Sequence, residues 1–169
     1  MNIRLANKQD LSALEQMFNR IVAEMHKNGV NIWNEYYPFE EFENDIEKSR
    51  LYLLVDENNI CAAFVLFDDI AGAECFKWEN NNAKPIYIGR LGVNVDYLRQ
   101  GVGSRVIQEA IKLSKQMQGE YLRLTVVKEN IPAIKLYLKN GFKQVEGVYN
   151  ECIDDLGTTL QEFGFELKI

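Results

Sequence analysis

Histidine is nearly absent from this 169-residue chain, and cysteine and proline are scarce. The one histidine, His26, lies in a predicted helix, and no Gly-x-Ser-x-Gly segment occurs, so a serine or cysteine nucleophile activated by histidine has little support. Cys61, Cys75 and Cys152 are odd in number and widely spaced, which argues against a disulfide framework and against a zinc site. We expect reduced, buried thiols and no bound metal.

Excess positive charge and long apolar runs are also lacking. A net charge of −6 and a sequence pI near 4.9 argue against a nucleic-acid surface and are compatible with a positively charged substrate. No run of about eighteen apolar residues crosses the chain and no charged-then-apolar leader opens it, so we expect a cytoplasmic protein without membrane contact. With 47% hydrophobic residues, the chain can bury one core, which favours a single domain over residues 1–169.

Hydrophobic periodicity predicts helices alternating with strands. A helix over 10–28 is expected to begin at a capping Asp10 and to end at Gly29, and a second helix is expected over 40–48. No element is predicted over 69–84. The predicted strands share β-branched and aromatic residues and cover 51–55, 60–67, 85–95, 121–127, 142–149 and 160–167. These elements form a mixed α/β sheet.

The most distinctive segment is 91–104, in which an apolar strand leads through a turn to Gly101 and Gly103 and then into a long amphipathic helix. Glycines let the backbone approach a ligand, and the first N–H groups of a helix favour an anion such as a diphosphate. Ser104 and Arg105 after the second glycine exclude a nucleotide P-loop, and Val106 fits a dinucleotide fingerprint poorly. Taken alone, the pair of glycines also fits a helix that merely begins there.

A short helix with clear start and stop signals follows over 130–142. Asn130 is a suitable cap, Pro132 suits an early helical position, and Gly141 suits the left-handed C-terminal position. Ala133 and Tyr137 lie four residues apart, on one face of the helix.

Together these two segments resemble the GNAT superfamily of acyl-CoA-dependent N-acetyltransferases. The family's hallmarks are a Gln/Arg-x-x-Gly-x-Gly/Ala loop and a later Asn-x-x-Ala-x-x-x-Tyr helix that ends in Gly-Phe, and the resemblance is close over residues 86–147. Leu98 stands where the family usually has Gln or Arg, so one side-chain contact to the cofactor is missing. The resemblance implies a mixed, mostly antiparallel sheet with a central V-shaped split, flanked by helices on both faces.

The resemblance also implies the site. Acetyl-CoA would be the acyl donor, transferring its acetyl group directly to an amine of a small molecule or peptide in a ternary complex. Tyr137 would protonate the departing thiolate, although an ordinary core aromatic is the alternative. The residues that would hold the cofactor are Leu91, Gly92 and Val93 for the pantetheine arm, Arg99, Gln100, Gly101, Val102, Gly103 and Ser104 for the diphosphate, and Asn130, Ala133, Tyr137 and Lys139 on the other wall. By analogy with relatives that pair through their late strands, a homodimer is implied.

The base and the acceptor pocket are less defined. Many relatives place a Glu on the central strand, but no carboxylate occurs over 86–95, which leaves Glu79, Glu151 or a chain of water molecules. The segment 29–39, with Trp33, Glu35 and Tyr36, either forms the acceptor pocket or is a hydrophobic lid that packs on the second helix. The acidic loop 150–157 either completes a cationic pocket or is a solvated turn.

Two other functions fit the same residues. A non-catalytic acyl-CoA sensor is favoured by Leu98 and by the missing strand carboxylate, whereas a binder of nucleotide phosphates would use the glycine loop alone. Transfer of the acetyl group from acetyl-CoA to an amine would distinguish an enzyme from the sensor and from the nucleotide-phosphate binder.

Overall fold

The computed structural model describes residues 1–152 and 159–169, so most of the acidic loop predicted at 150–157 lies outside the described residues. The helices are α1 Leu11–Lys27, α2 Phe42–Glu47, α3 Val102–Gln116 and α4 Ile131–Lys139. The strands are β1 Asn2–Leu5, β2 Leu51–Asp56, β3 Asn59–Phe67, β4 Phe76–Lys77, β5 Pro85–Val93, β6 Tyr121–Val127, β7 Lys143–Gln144, β8 Glu146–Gly147, β9 Tyr149–Cys152 and β10 Thr159–Lys168. The chain packs as two compact units, Met1–Leu66 with Ile88–Ala110, and Phe67–Tyr87 with Ile111–Ile169.

In the first unit, helix α1 packs closely on a strand. Strands β1, β2 and β3 form an antiparallel series, with β5 next to β3. Phe18 and Ile21 are buried on α1, and a Cβ built on Gly92 of β5 would lie 2.7 Å from Cζ of Phe18. Glycine at this position therefore allows α1 to approach the strand.

A buried ionic cluster joins α2 to β5 in the same unit. Arg90 of β5 adopts a left-handed φ of 48°, and its guanidinium lies 2.6 Å from a carboxylate oxygen of Glu41 and 3.2 Å from one of Asp45. Asp45 is fully buried and also accepts a 2.7 Å hydrogen bond from Arg50. Burial raises the pKa of the Asp45 carboxyl, and the two arginines act against that rise. The positive charges of Arg90 and Arg50 therefore offset part of the cost of burying the Asp45 carboxylate.

The second unit is built on β10. Strand β10 pairs antiparallel with β6 from Glu162 opposite Val127 to Lys168 opposite Tyr121, and it also pairs with β7 and β9. Residues 85–87 of β5 pair with β6 in parallel. One face of this sheet carries Phe165, fully buried, against which α4 packs.

The opposite face of that sheet carries an aromatic cluster of Phe76, Trp78 and Tyr87. The Arg123 guanidinium stacks 4.6 Å from the Trp78 ring centre and lies 3.1 Å from a carboxylate oxygen of Glu166. Both side chains of this pair are almost fully buried, so each charge depends on the other.

The predicted mixed α/β, mostly antiparallel sheet flanked by helices is confirmed, and β6 has the predicted bounds. The single strand predicted over 142–149 is wrong, because the chain forms the separate strands β7, β8 and β9 there. Gly147 explains the break: it adopts a φ of 125°, and a Cβ on it would lie 2.2 Å from the Cys75 carbonyl oxygen. The chain turns at this glycine to pair with β4 instead of continuing along β10.

Two local predictions are also corrected. Asp10 does not cap α1 with its side chain; its carboxylate accepts two 2.7 Å hydrogen bonds from Arg4 and a 2.9 Å bond from the Asn7 N–H group. All three thiols are predicted to be buried. The prediction is confirmed for Cys61 and wrong for Cys75 and Cys152, which are exposed. Cys75 immediately precedes β4, and Cys152 is the last residue of β9.

Replacing Asp45 by Asn tests the ionic cluster. We expect Asp45→Asn to lower the free energy of unfolding by about 3 kcal/mol, because it leaves the buried Arg90 guanidinium without one of its counter-charges. Glu47→Gln is the matched control, since it removes an exposed carboxylate of the same helix whose partner is Lys8. Urea denaturation measures both variants. Equal losses would contradict the role assigned to the cluster.

Candidate active site

The turn before α3 is held by polar contacts. The side-chain oxygen of Asn94 accepts a 3.2 Å bond from the Asp96 N–H group, and the Asn94 amide donates 2.9 Å to the Ile60 carbonyl oxygen. Arg20 of α1 donates two bonds, 2.8 and 2.7 Å long, to the Asp96 carboxylate. The Gln100 amide donates 2.8 Å to the Asp96 carbonyl oxygen, so the side chain of Gln100 serves the turn.

The backbone next to this turn is shaped for close approach. Arg99 and Gly101 have left-handed φ values of 60° and 80°, and a Cβ on Gly101 would meet no atom within 4 Å. The Arg105 N–H group donates 3.1 Å to the Gly101 carbonyl oxygen, so the N–H groups of Val102 and Gly103 lie ahead of this helical bond. Such a helix start, with an exposed Arg99 beside it, can hold an anion through main-chain donors.

The residues predicted for the pantetheine arm, Leu91, Gly92 and Val93, form the end of β5. They follow directly on the left-handed Arg90, a conformation that interrupts regular pairing in a strand. Sequence analysis missed Arg90, although a charged residue inside an apolar strand was a visible signal. The Asn94 N–H group then donates 2.9 Å to the Cys61 carbonyl oxygen, which holds the end of the strand.

On α4, Asn130 caps the helix as predicted, with its side-chain oxygen accepting a 3.3 Å bond from the Ala133 N–H group. Tyr137 is buried, and its ring lies 5.6 Å from that of Phe142 and 6.4 Å from that of Phe165. Burial raises the pKa of the Tyr137 hydroxyl well above its ordinary value, so it is protonated at neutral pH. The predicted Lys139 is exposed at the end of the helix.

The segment predicted to contact the acceptor is anchored by aromatic rings. Trp33 packs 5.5 Å from Phe18, and the Trp33 carbonyl oxygen lies 2.8 Å from a ring nitrogen of His26. Tyr36 is 60% exposed and Glu35 is exposed as well. The segment therefore combines features of both interpretations, a packed lid and an accessible surface.

Phe18 brings two predicted parts of the site together within the first unit, because it contacts both Trp33 and the backbone of Gly92. Its ring is fully buried. In the sequence, Phe18 is one apolar position of α1 among several. Hydrophobic periodicity alone does not distinguish it from the others.

The carboxylates proposed as bases occupy different surroundings. Glu79 is exposed, with its N–H group 2.8 Å from a carboxylate oxygen of Glu166. Glu151 is exposed on β9, and partial desolvation raises the pKa of its carboxyl. Glu162 of β10, which sequence analysis missed, is partly buried; burial raises its pKa, a hydrogen bond from Thr125 opposes the rise, and the charge of Glu151 adds to it.

Among the described residues, no group of three or more His, Cys, Asp or Glu side chains could hold a metal ion. Within residues 1–152 and 159–169, every helix is too short or too polar to cross a bilayer.

Known proteins share the fold of this chain. The model of the acetyltransferase (GNAT) family matches residues 14–142. "Putative phosphinothricin acetyltransferase YwnH" of Bacillus subtilis (strain 168) is 29% identical over 146 residues, which is 85% of this chain and 85% of that protein. A GNAT family acetyltransferase from Streptococcus agalactiae superposes with a TM-score of 0.81 at 18% identity, covering 99% of this chain and 95% of the other. YncA of Salmonella typhimurium, solved with its cofactor acetyl-CoA, gives a TM-score of 0.66 at 15% identity, covering 99% and 92%.

The chain belongs to the GNAT acetyltransferase family and is an acyltransferase. This confirms the predicted family, fold class and enzyme class.

Proposed function

We propose that this acyltransferase moves the acetyl group of acetyl-CoA directly to the primary amine of a small molecule, in a ternary complex. The diphosphate of the cofactor would lie on the backbone of residues 99–104, and its arm along Leu91, Gly92 and Val93. Asn130, Ala133 and Lys139 would also contact the cofactor, and Tyr137 would act as proton donor to the departing sulfur.

The observation that carries the proposal is the loop that opens at α3. Two left-handed residues, Arg99 and Gly101, precede a fifteen-residue helix whose first N–H groups lie ahead of its hydrogen-bonding pattern. The space at Gly101 is open, so a phosphate can approach the main chain. The positive end of the helix dipole and the charge of Arg99 both favour an anion there, which compensates for the uncharged Leu98.

Tyr137 suits the donor role because its hydroxyl stays protonated. When the amine attacks the acetyl carbon, the carbon–sulfur bond breaks and its electron pair leaves on sulfur, which then takes the Tyr137 proton. The amide nitrogen releases a proton as it forms, and that proton restores the tyrosine. Since the ring is packed between Phe142 and Phe165, the hydroxyl is held in one place.

The acceptor is proposed to be a small amine. The Bacillus relative is named a putative phosphinothricin acetyltransferase, and the exposed Tyr36 and Glu35 offer this chain a cation-binding surface. At pH 7, an alkyl ammonium with a reference pKa of about 10.4 costs about 4.6 kcal/mol to neutralise, so a base must assist.

Release of CoA thiol from acetyl-CoA in the presence of single amines tests this function. We expect release with one or more amino acids or small primary amines, and none without an acceptor. Binding of acetyl-CoA without thiol release on any amine of a broad panel would overturn the proposal, as would stronger thermal stabilisation by ATP than by acetyl-CoA.

Replacing Gly101 by Val tests the phosphate-binding loop. We expect Gly101→Val to raise the Kd of acetyl-CoA about tenfold, since its side chain would block at least one charge-assisted hydrogen bond to the diphosphate. Gly29→Val is the matched control, because Gly29 also has a left-handed φ, 76°, and also has no atom within 4 Å of a built Cβ. Both variants carry the same backbone strain. Calorimetric titration that found equal Kd values for the two would exclude the assigned binding mode.

Replacing Tyr137 by Phe tests the proton donor. We expect kcat to fall roughly 100-fold or more while the Kd of acetyl-CoA changes less than threefold, because the ring keeps its contacts and only the hydroxyl is lost. Steady-state kinetics and calorimetry provide the two quantities. A parallel loss of turnover and affinity would assign Tyr137 to packing instead.

A further inference from the structure

The two faces of the sheet in the second unit carry different chemistry. Tyr137 packs against Phe165, and because side chains alternate along a strand, Glu162 and Gly164 point to the opposite face of β10. On that opposite face, Thr125 of β6 lies across from Gly164, diagonal to Glu162. The sheet thus separates a protonated phenol from a carboxylate.

The carboxylate of Glu162 is held on both sides. The Thr125 hydroxyl donates a hydrogen bond to it from β6, and Tyr149 of β9 lies directly across from it on the other side. The Tyr149 ring is itself fixed against Gly72, where a built Cβ would lie 2.3 Å from the ring. Glu151 lies two residues along β9 on the same face and acts on Glu162 through its charge.

We propose that Glu162 is the general base that takes the proton from the acceptor ammonium group, and that the Thr125 hydroxyl positions its carboxylate. This inference rests on the proposed function, in which residues of α4 contact the cofactor. Glu162 lies opposite Val127, the last residue of β6, and the chain reaches the expected cofactor contact Asn130 three residues later. Glu162 therefore lies beside the end of β6 from which the chain continues to α4.

The surroundings of Glu162 suit an ammonium ion. A partly buried carboxylate with a second carboxylate and an aromatic ring beside it favours an organic cation. Desolvation in these surroundings raises the pKa of the Glu162 carboxyl toward neutral pH. The higher pKa makes Glu162 a better base than a solvated carboxylate. Among the described residues, the titratable groups that face it are Glu151 and Tyr149 on β9, and the Thr125 hydroxyl faces it from β6.

The proton balance is complete with these groups. Glu162 takes one proton from the ammonium and later gives it to solvent, and the neutral nitrogen forms its bond to the acetyl carbon. The carbon–sulfur bond breaks, sulfur takes the Tyr137 proton, and the second proton of the nitrogen restores Tyr137. The products are the amide, the CoA thiol and one proton. Base and acid act from opposite faces of the sheet, so neither has to serve both the attacking and the leaving group.

The decisive experiment measures kcat/KM against pH for the full-length protein with an amine that the wild type acetylates. We expect the Glu162→Gln variant to have a kcat at least 100-fold below that of the wild type, and its pH profile to lose the acid limb, which is the fall in kcat/KM at low pH. We expect its Kd for acetyl-CoA to stay within threefold of the wild-type value. Glu146→Gln is the matched control, because Glu146 is an exposed carboxylate of the same unit whose partner is Lys77. It is expected to keep the wild-type rate and profile.

Three further variants separate a catalytic role from a structural one. Thr125→Val removes a bond that lowers the Glu162 pKa, so the acid limb is expected to move to higher pH, and Thr125→Ser is expected to restore it. Glu151→Gln removes a charge that raises that pKa, so the limb is expected to move to lower pH. Opposite shifts support the assignment.

Failure of this inference is distinct from failure of the proposed function. Thiol release by the wild type together with a Glu162→Gln variant within threefold of it, or acid limbs unmoved in the Thr125 and Glu151 variants, would overturn the role of Glu162 alone. Absence of thiol release by the wild type with every amine would overturn the proposed function and this inference with it.

Discussion

The polar contacts that hold residues 94–100 in front of α3 are the constraint on which the site depends. Arg20 binds the Asp96 carboxylate at two points, and Gln100 binds the Asp96 carbonyl oxygen, so the turn is fixed before the helix begins. Left-handed residues at Arg99 and Gly101 then aim the main chain, rather than any single side chain, at the open space. In the proposed binding mode the main chain contacts the diphosphate, so this mode does not depend on the side chain of Leu98.

The remaining chemistry depends on how each side chain is desolvated. Burial raises the pKa of the Tyr137 hydroxyl and that of the Glu162 carboxyl, and the proposed mechanism uses the first group as proton donor and the second as proton acceptor. At other positions the free-energy cost of burying a charge is offset by an opposite charge, as for Asp45 with Arg90 and for Glu166 with Arg123. Buried charge in this protein is thus compensated where it supports the fold and less so where it is proposed to react.

Much of the fold could be predicted because its elements follow local rules. The bounds of β6, and those of α1 to within one residue at each end, follow from hydrophobic periodicity, and Asn130 caps α4 as its type suggests. The strand predicted at 142–149 failed because Gly147 meets the Cys75 carbonyl, a contact between distant parts of the sequence. Asp10 failed as a cap for a similar reason, since Arg4 on β1 takes its carboxylate.

The sequence by itself determined the family, since the family motifs rest on residue types at short, fixed spacings within one turn and one helix. Tertiary structure alone decided the surroundings of each carboxylate. Glu79, Glu151 and Glu162 are equivalent in a linear reading, and only strand pairing places Thr125 and Tyr149 beside Glu162 while leaving Glu79 in solvent. The pKa of a carboxyl group depends on neighbours brought from other strands, and a pattern along one segment does not contain them.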